Sequence, residues 1–271
     1  MDADAFKAFE AERWGAKAES YDRLTGQVTR RLVEPLLDAA GVRAGTRVLD
    51  VATGPGHLAA AAAARGAKVT GVDIAAGMLA VAAARHPQVE FVQADAEALP
   101  FPPAEFDAVV GAFVMNHLPR PEVAVAGFAS VLTRGGRAAF TVWDGPPRSR
   151  LITLLGEAVR ATGVDPAGAI PAGPDSFRFA ADAEFAALLR GGGLTDVGVE
   201  TIDLIHAGDN PDALWEGMLG GSVRGAGLVE AQDGPTRERI RLEFGRLVEE
   251  LRDGGRYRIP IAVKLASGRK A

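Results

Sequence analysis

The stretch Val48-Leu49-Asp50-Val51-Ala52-Thr53-Gly54-Pro55-Gly56-His57-Leu58-Ala59 constrains this chain more than any other. An apolar run of strand length meets a turn with two glycines, and an alanine-rich helix follows. Glycine has no Cβ, so a ligand can approach the backbone closely at Gly54 and Gly56. The first turn of the helix offers free N–H groups to an anionic ligand. Taken alone, the GxGxxA spacing also describes an ordinary βα turn, so its neighbours must decide.

Short apolar runs predict strands over 46–52, 68–73, 89–94, 106–114 and 137–143. Helices are predicted between them over 57–65, 76–85 and 121–132. This alternation builds a parallel sheet with helices on both faces, an α/β fold. Residues 3–40 read as helices ahead of the sheet. Beyond 145 the rhythm changes. Helices are expected over 151–161, 181–190 and 235–253, strands over 197–205 and 258–266, and a Gly/Pro-rich loop over 162–176. Pro260 suits only the first residues of a strand.

Composition narrows the chemistry. The chain has 271 residues, 48% of them hydrophobic, which suits one large domain. It has no cysteine, so disulfides, thiolate metal sites and thiol nucleophiles are excluded. The histidines at 57, 86, 117 and 206 lack metal-binding spacing, so no metal is expected. Acids outnumber bases 35 to 30 without a basic run, which argues against nucleic acid as partner. No apolar stretch reaches membrane-spanning length. The acidic start Met1-Asp2-Ala3-Asp4 lacks a signal-peptide pattern. A cytoplasmic protein acting on a small molecule is expected, and a homodimer stays open.

Three acids sharpen the reading of the turn. Asp73 ends the second strand, 19 residues after Gly54, where a carboxylate can accept hydrogen bonds from ribose hydroxyls. Asp50 lies inside the first strand and suits a ligand with an ammonium group. Asp95 follows the third strand, where it can accept from an adenine amino group. The last two argue against a nicotinamide oxidoreductase.

With these residues in place, the chain resembles the class I S-adenosylmethionine-dependent methyltransferases. The nearest group is the small-molecule branch similar to the ubiquinone/menaquinone biosynthesis methyltransferases. The resemblance rests on VLDVATGPGHLA, VTGVDIAAGML, VQADAEALPFPPAEFDAVV and NHLPRPEVAVAGFASVLTRGGRAAFTVW, collinear over residues 46–143. It implies a Rossmann-like seven-stranded sheet of order 3-2-1-4-5-7-6, the last strand antiparallel, with a helical lid. The strand over 258–266 would be that seventh strand. The single domain 1–271 would comprise an amino-terminal helical cap (1–40), a cofactor core (41–145) and a remainder (146–271) with a lid over about 206–255. The implied cofactor is S-adenosyl-L-methionine, released as S-adenosyl-L-homocysteine.

The resemblance also implies residue roles. Ala52, Thr53 and Gly54 would bind the methionyl part through backbone groups, and Ala112 would line its pocket. Asp73 would hold the ribose. Ile74 and Met78 would pack on the adenine, whose edge Asp95 and the Ala96 N–H would read. Tyr21 resembles the family's tyrosine that closes over the cofactor, and it is also a candidate catalytic group. His117, past the fourth strand, is expected to be a pocket wall, with a general-base role as the alternative. Trp143, His206 and Trp215 are candidate substrate residues.

Methyl transfer from a sulfonium depends mainly on positioning, so no marked catalytic residue is required. The segment Gly111-Ala112-Phe113-Val114 lacks the Asn-Pro-Pro-Tyr type of motif used on nucleic-acid bases and glutamine amides. A small apolar or aromatic metabolite, methylated on carbon or oxygen, is the leading expectation. The alternative is a protein that binds the same cofactor but catalyses a cyclisation or rearrangement.

Overall fold

A computed structural model describes residues 1–165 and 168–271. Part of the predicted 162–176 loop, residues 166 and 167, lies outside the described residues. The first five strands are β1 (Arg47–Val51), β2 (Lys68–Asp73), β3 (Glu90–Gln93), β4 (Phe106–Ala112) and β5 (Leu132–Trp143). They are followed by β6 (Leu194–Gly208), β7 (Arg252–Asp253) and β8 (Arg256–Lys270). The sheet runs β3-β2-β1-β4-β5-β8-β6, with β7 paired on β8. β8 is antiparallel to both β5 and β6. The expected seven-stranded order therefore holds, and the two-residue β7 is an addition.

Helices cover both faces. They are α1 (Ala3–Lys17), α2 (Thr25–Ala39), α3 (His57–Ala64), α4 (Ala76–Arg85), α5 (Pro121–Val131) and α6 (Arg150–Ala161), then α7 (Asp182–Gly191), α8 (Pro211–Gly221), α9 (Arg224–Glu230) and α10 (Gly234–Glu249). Two cores follow from strand alternation. Val48, Ala108 and Val110 join one core with α2, α6 and α10. Leu49, Val51 and Val109 join the other with α5 and α7. Strands buried on both faces read as continuous apolar runs, which is why β1 and β4 stand out in the sequence.

The predicted boundaries shift in physically readable ways. The long helix stops at Glu249, because Gly254 and Gly255, both at positive φ, turn the chain back so that β7 pairs with β8. Pro260 sits five residues into β8 rather than at its start. It is tolerated because β5 ends at Trp143 opposite Val263, so nothing needs an N–H from Pro260 on that side. The variable stretch 206–255 holds two helices, α8 and α9, that periodicity alone did not resolve.

Candidate active site

The carboxyl ends of β1, β2 and β4 meet at the order reversal of the sheet, where ligands bind in such folds. A cavity of about 280 Å³ opens there. Its floor includes Ala52, Gly54, Asp73, Ile74, Met78, Asp95, Ala96 and Ala112. Its apolar side is made by Leu24, Val28, Leu151, Leu155, Phe177 and Met218.

Backbone strain marks the floor. Ala52, after β1, has φ of 54°, and Phe113, after β4, has φ of 59°. Neither is glycine, and such residues persist in the left-handed region where the surroundings over-determine them, commonly at functional sites. Both line the cavity. Gly56 has φ of 85° and a Cβ there would meet His86 Cδ2 at 3.0 Å and Phe91 Cζ at 3.1 Å. Its role is thus to let the turn pack, and it does not itself line the cavity.

Asp73 holds the turn. Its Oδ2 accepts the Gly54 N–H at 2.8 Å and its Oδ1 accepts the Ala75 N–H at 2.9 Å. An ionised carboxylate has about four acceptor sites, so two remain for ligand hydroxyls. Burial pushes its carboxyl above the usual range, against those two amides. Asp50 lies below the turn with Thr53, lining a small adjoining cavity rather than the main one. Its Oδ2 accepts the Thr53 hydroxyl at 2.6 Å. Burial pushes Asp50 up to about 7, and the nearby Asp73 adds to the shift. No ion pair joins Asp50 to a cation among the described residues.

Asp95 is already engaged. Its Oδ1 accepts the Glu97 N–H at 2.8 Å, and Lys7 on α1 donates to its Oδ2 at 2.6 Å. Lys7 also reaches Glu97 at 2.5 Å. The roof comes from α1, the turn Tyr21–Arg23 and the α8–α9 junction, through Trp14, Tyr21 and residues 221–225. Tyr21 donates to or accepts from Thr29 Oγ1 at 2.9 Å. Burial pushes the phenol up to about 12, helped by Asp22, Asp73 and Asp50. It therefore stays protonated near neutrality, as a hydrogen-bond donor rather than a base. Asp22 anchors this turn through His57 at 2.6 Å, Arg85 at 2.7 Å and Arg30 at 2.8 Å.

His117 lines the cavity, and its Nδ1 meets Glu10 Oε2 at 2.7 Å. Trp143 also lines it and stacks on Phe113, with ring centroids 4.0 Å apart. Two candidate substrate residues fall elsewhere. Trp215 is buried against Phe244, because that face of α8 packs on α10. His206 sits on β6 opposite Ile259, half-buried beside Arg31. Only the part of the variable segment near 218–225 reaches the site, since α10 packs on α6. Sequence reasoning missed Lys7, Glu10 and Arg224. The available signal was the spacing of Lys7, Glu10 and Trp14 by three and four residues, which puts them on one face of α1.

The residues fit the implied cofactor. A buried carboxylate without a cation suits an ammonium-bearing ligand, and Asp73 keeps acceptor capacity beside a backbone that closes tightly. The comparisons agree. The methyltransferase domain family matches residues 48–136. The chain is 37% identical over 125 residues to a demethylmenaquinone methyltransferase of Renibacterium salmoninarum, covering 46% of this chain and 53% of that one. It is 42% identical over 118 residues to the demethylmenaquinone methyltransferase of Thermus thermophilus, covering 41% and 54%. The chain thus spans about half the length of the curated relatives it matches. A phosphoethanolamine N-methyltransferase of Haemonchus contortus, solved with S-adenosyl-L-methionine, shares the fold at a TM-score of 0.59, with 17% identity over 98% of this chain and 60% of that one. Strand order, turn and family match converge: residues 48–136 form a class I S-adenosylmethionine-dependent methyltransferase domain.

Proposed function

We propose that this protein methylates carbon or oxygen of a small apolar or aromatic metabolite, using S-adenosyl-L-methionine. The observation that supports this best is a cavity with two unlike sides. One side carries Asp73 and Asp95 at strand ends, and the other is built from Leu, Val, Phe and Met side chains. The bound cofactor would supply an activated methyl group. Asp73 would hold its ribose, Asp50 its ammonium group, and the Gly54 turn its methionyl chain. The adenine would rest on Ile74 and Met78, with Asp95 and the Ala96 N–H at its edge. Trp143, Phe113 and the apolar side would orient the acceptor, and the roof would exclude water. The demethylmenaquinone methyltransferases it resembles support an aromatic acceptor. A cytoplasmic setting belongs to the same reading.

The test combines binding with product mass. Calorimetry should show S-adenosyl-L-homocysteine binding, weakened at least about ten-fold in Asp73→Asn, because a charge-assisted hydrogen bond contributes roughly 1.5–3 kcal/mol. Asn keeps one acceptor oxygen for the Gly54 or Ala75 amide, which Ala would abandon. Products from a metabolite screen should be heavier by one methyl group. Unchanged affinity in Asp73→Asn would sink the assignment of this cavity, and products of unchanged mass would favour the cyclisation alternative.

A further inference from the structure

The cavity wall carries a buried polar row that none of the cofactor roles proposed above uses. Glu10 on α1 is 4% exposed. Its Oε2 accepts the Trp14 Nε1–H at 2.9 Å and meets His117 Nδ1 at 2.7 Å. Its Oε1 has no hydrogen-bond partner among the described residues. Asn116 is also 4% exposed. Its Nδ2 donates to the Ser176 carbonyl, and its Oδ1 has no such partner. Arg224, at the start of α9, donates through Nη1 to the Pro174 carbonyl at 2.5 Å and to Ser176 Oγ at 3.1 Å. Its Nε is left over. Ser176 therefore links Asn116 to Arg224, and Asn116 precedes His117 in the chain. All these side chains line the one cavity. Buried polar atoms are nearly always paired, so three unpaired ones along one wall mark where the polar groups of a ligand belong.

We propose that this row is the acceptor subsite for a phenolic or enolic hydroxyl, with His117 Nε2 receiving its proton and Glu10 acting as the positioning residue. The inference rests on the methyl-transfer reading and names the acceptor chemistry within it. Glu10 Oε2 already accepts a hydrogen bond from Trp14, so it is an acceptor toward His117 as well. In the neutral imidazole that places the proton on Nδ1 and leaves the Nε2 lone pair for a ligand, with no partner among the described residues. The Trp14 and His117 rings meet in an edge-on arrangement with centroids 5.6 Å apart, so Trp14 holds the imidazole from the side. The unpartnered Arg224 Nε favours a second oxygen on the ligand and disfavours an ammonium group. The charged groups around His117 come from every side. They are Glu10 and Lys7 on α1, Asp73 at the end of β2 and Arg224 on α9.

The step balances. The acceptor oxygen forms a bond to the methyl carbon as its O–H proton passes to His117 Nε2. The electron pair of the broken carbon–sulfur bond stays on sulfur. The imidazolium so formed is stabilised by the Glu10 carboxylate and then loses its proton to solvent.

A chromogenic phenol, 4-nitrophenol, reads this without turnover. It is titrated by its phenolate absorbance with the full chain saturated with S-adenosyl-L-homocysteine. The expected result is a lowering of the apparent phenol pKa by about one unit, or about ten-fold more phenolate at a given acidic pH. His117→Ala should abolish the shift, and Glu10→Gln, which keeps the side-chain volume, should remove most of it. Circular dichroism melts and cofactor affinity check that each variant is folded. A wild-type titration equal to that in buffer overturns the inference, as does an unchanged shift in His117→Ala. Failure of wild type to bind S-adenosyl-L-homocysteine instead overturns the methyl-transfer reading on which the inference rests.

Discussion

If Asp50 holds the ammonium group as proposed, one residue couples ligand binding to stability. It is buried beside Asp73 and held at about 7, far above an ordinary aspartate. The folded protein therefore binds a proton there that the unfolded chain releases near pH 4. The resulting stabilisation is full below that point and is lost as pH rises through about 7. A ligand ammonium held there would favour the ionised form, so binding should show the opposite trend. Affinity for S-adenosyl-L-homocysteine should rise about ten-fold from pH 6 to pH 8, following the ionised fraction, and then level off. Asp50→Asn should flatten both trends, with a melting temperature less dependent on pH and weaker binding at pH 8. Parallel pH trends in wild type and Asp50→Asn, measured by melts and calorimetry, would show that another group governs them.

At the scale of elements, the docking of α1 on α4 depends on two glycines of unequal importance. A Cβ on Gly77 would lie 2.6 Å from the Gly15 carbonyl oxygen and 2.8 Å from its Cα, so the helices would have to part. A Cβ on Gly15 would lie 3.6 Å from the Gly77 nitrogen, an ordinary contact. Gly77→Ala should therefore cost about 1–3 kcal/mol, the usual size of overpacking. Gly15→Ala should be neutral or stabilising, by up to about 1 kcal/mol of helix propensity. Equal losses in the two variants, measured by denaturant unfolding, would contradict this geometry. The same contact explains what the sequence could and could not reveal. The floor was legible because β1, its turn and Asp73 are neighbours in a βα repeat whose spacing is set by local geometry. The roof was not, because Lys7 meets Asp95 and Glu10 meets His117 across more than eighty residues. Nothing in local periodicity encodes such pairs. Trp215 misled because an aromatic residue in a variable segment fills a core as readily as a pocket.

Across the whole molecule, the roof is clipped together from distant parts of the chain, and the clip predicts how it moves. Glu230 on α9 binds Arg13 at 2.8 Å and Lys17 at 2.9 Å, both on α1. Lys17 also donates to the Leu219 carbonyl at 2.7 Å, and Ser20 to that of Gly220 at 2.8 Å. These bonds join α1, α8 and α9 to one another, while α10 packs chiefly on α6 and less on α8 and α9. The roof should therefore respond as a unit, and α10, packed behind it on α6, should respond least. With S-adenosyl-L-homocysteine and an acceptor bound together, amide exchange should slow over residues 3–24 and 211–230 and slow least over 234–249. Glu230→Gln removes the charge that both cations share. Partly exposed pairs contribute about 0.2–1 kcal/mol each, so losing both should quicken exchange in α1 by roughly two- to thirty-fold. The floor around residues 48–56 should be indifferent to that change, because Asp73 and the sheet hold it without help from α9. Exchange that quickens equally in floor and roof would mean that Glu230 supports the fold as a whole and that the roof has no independence from it.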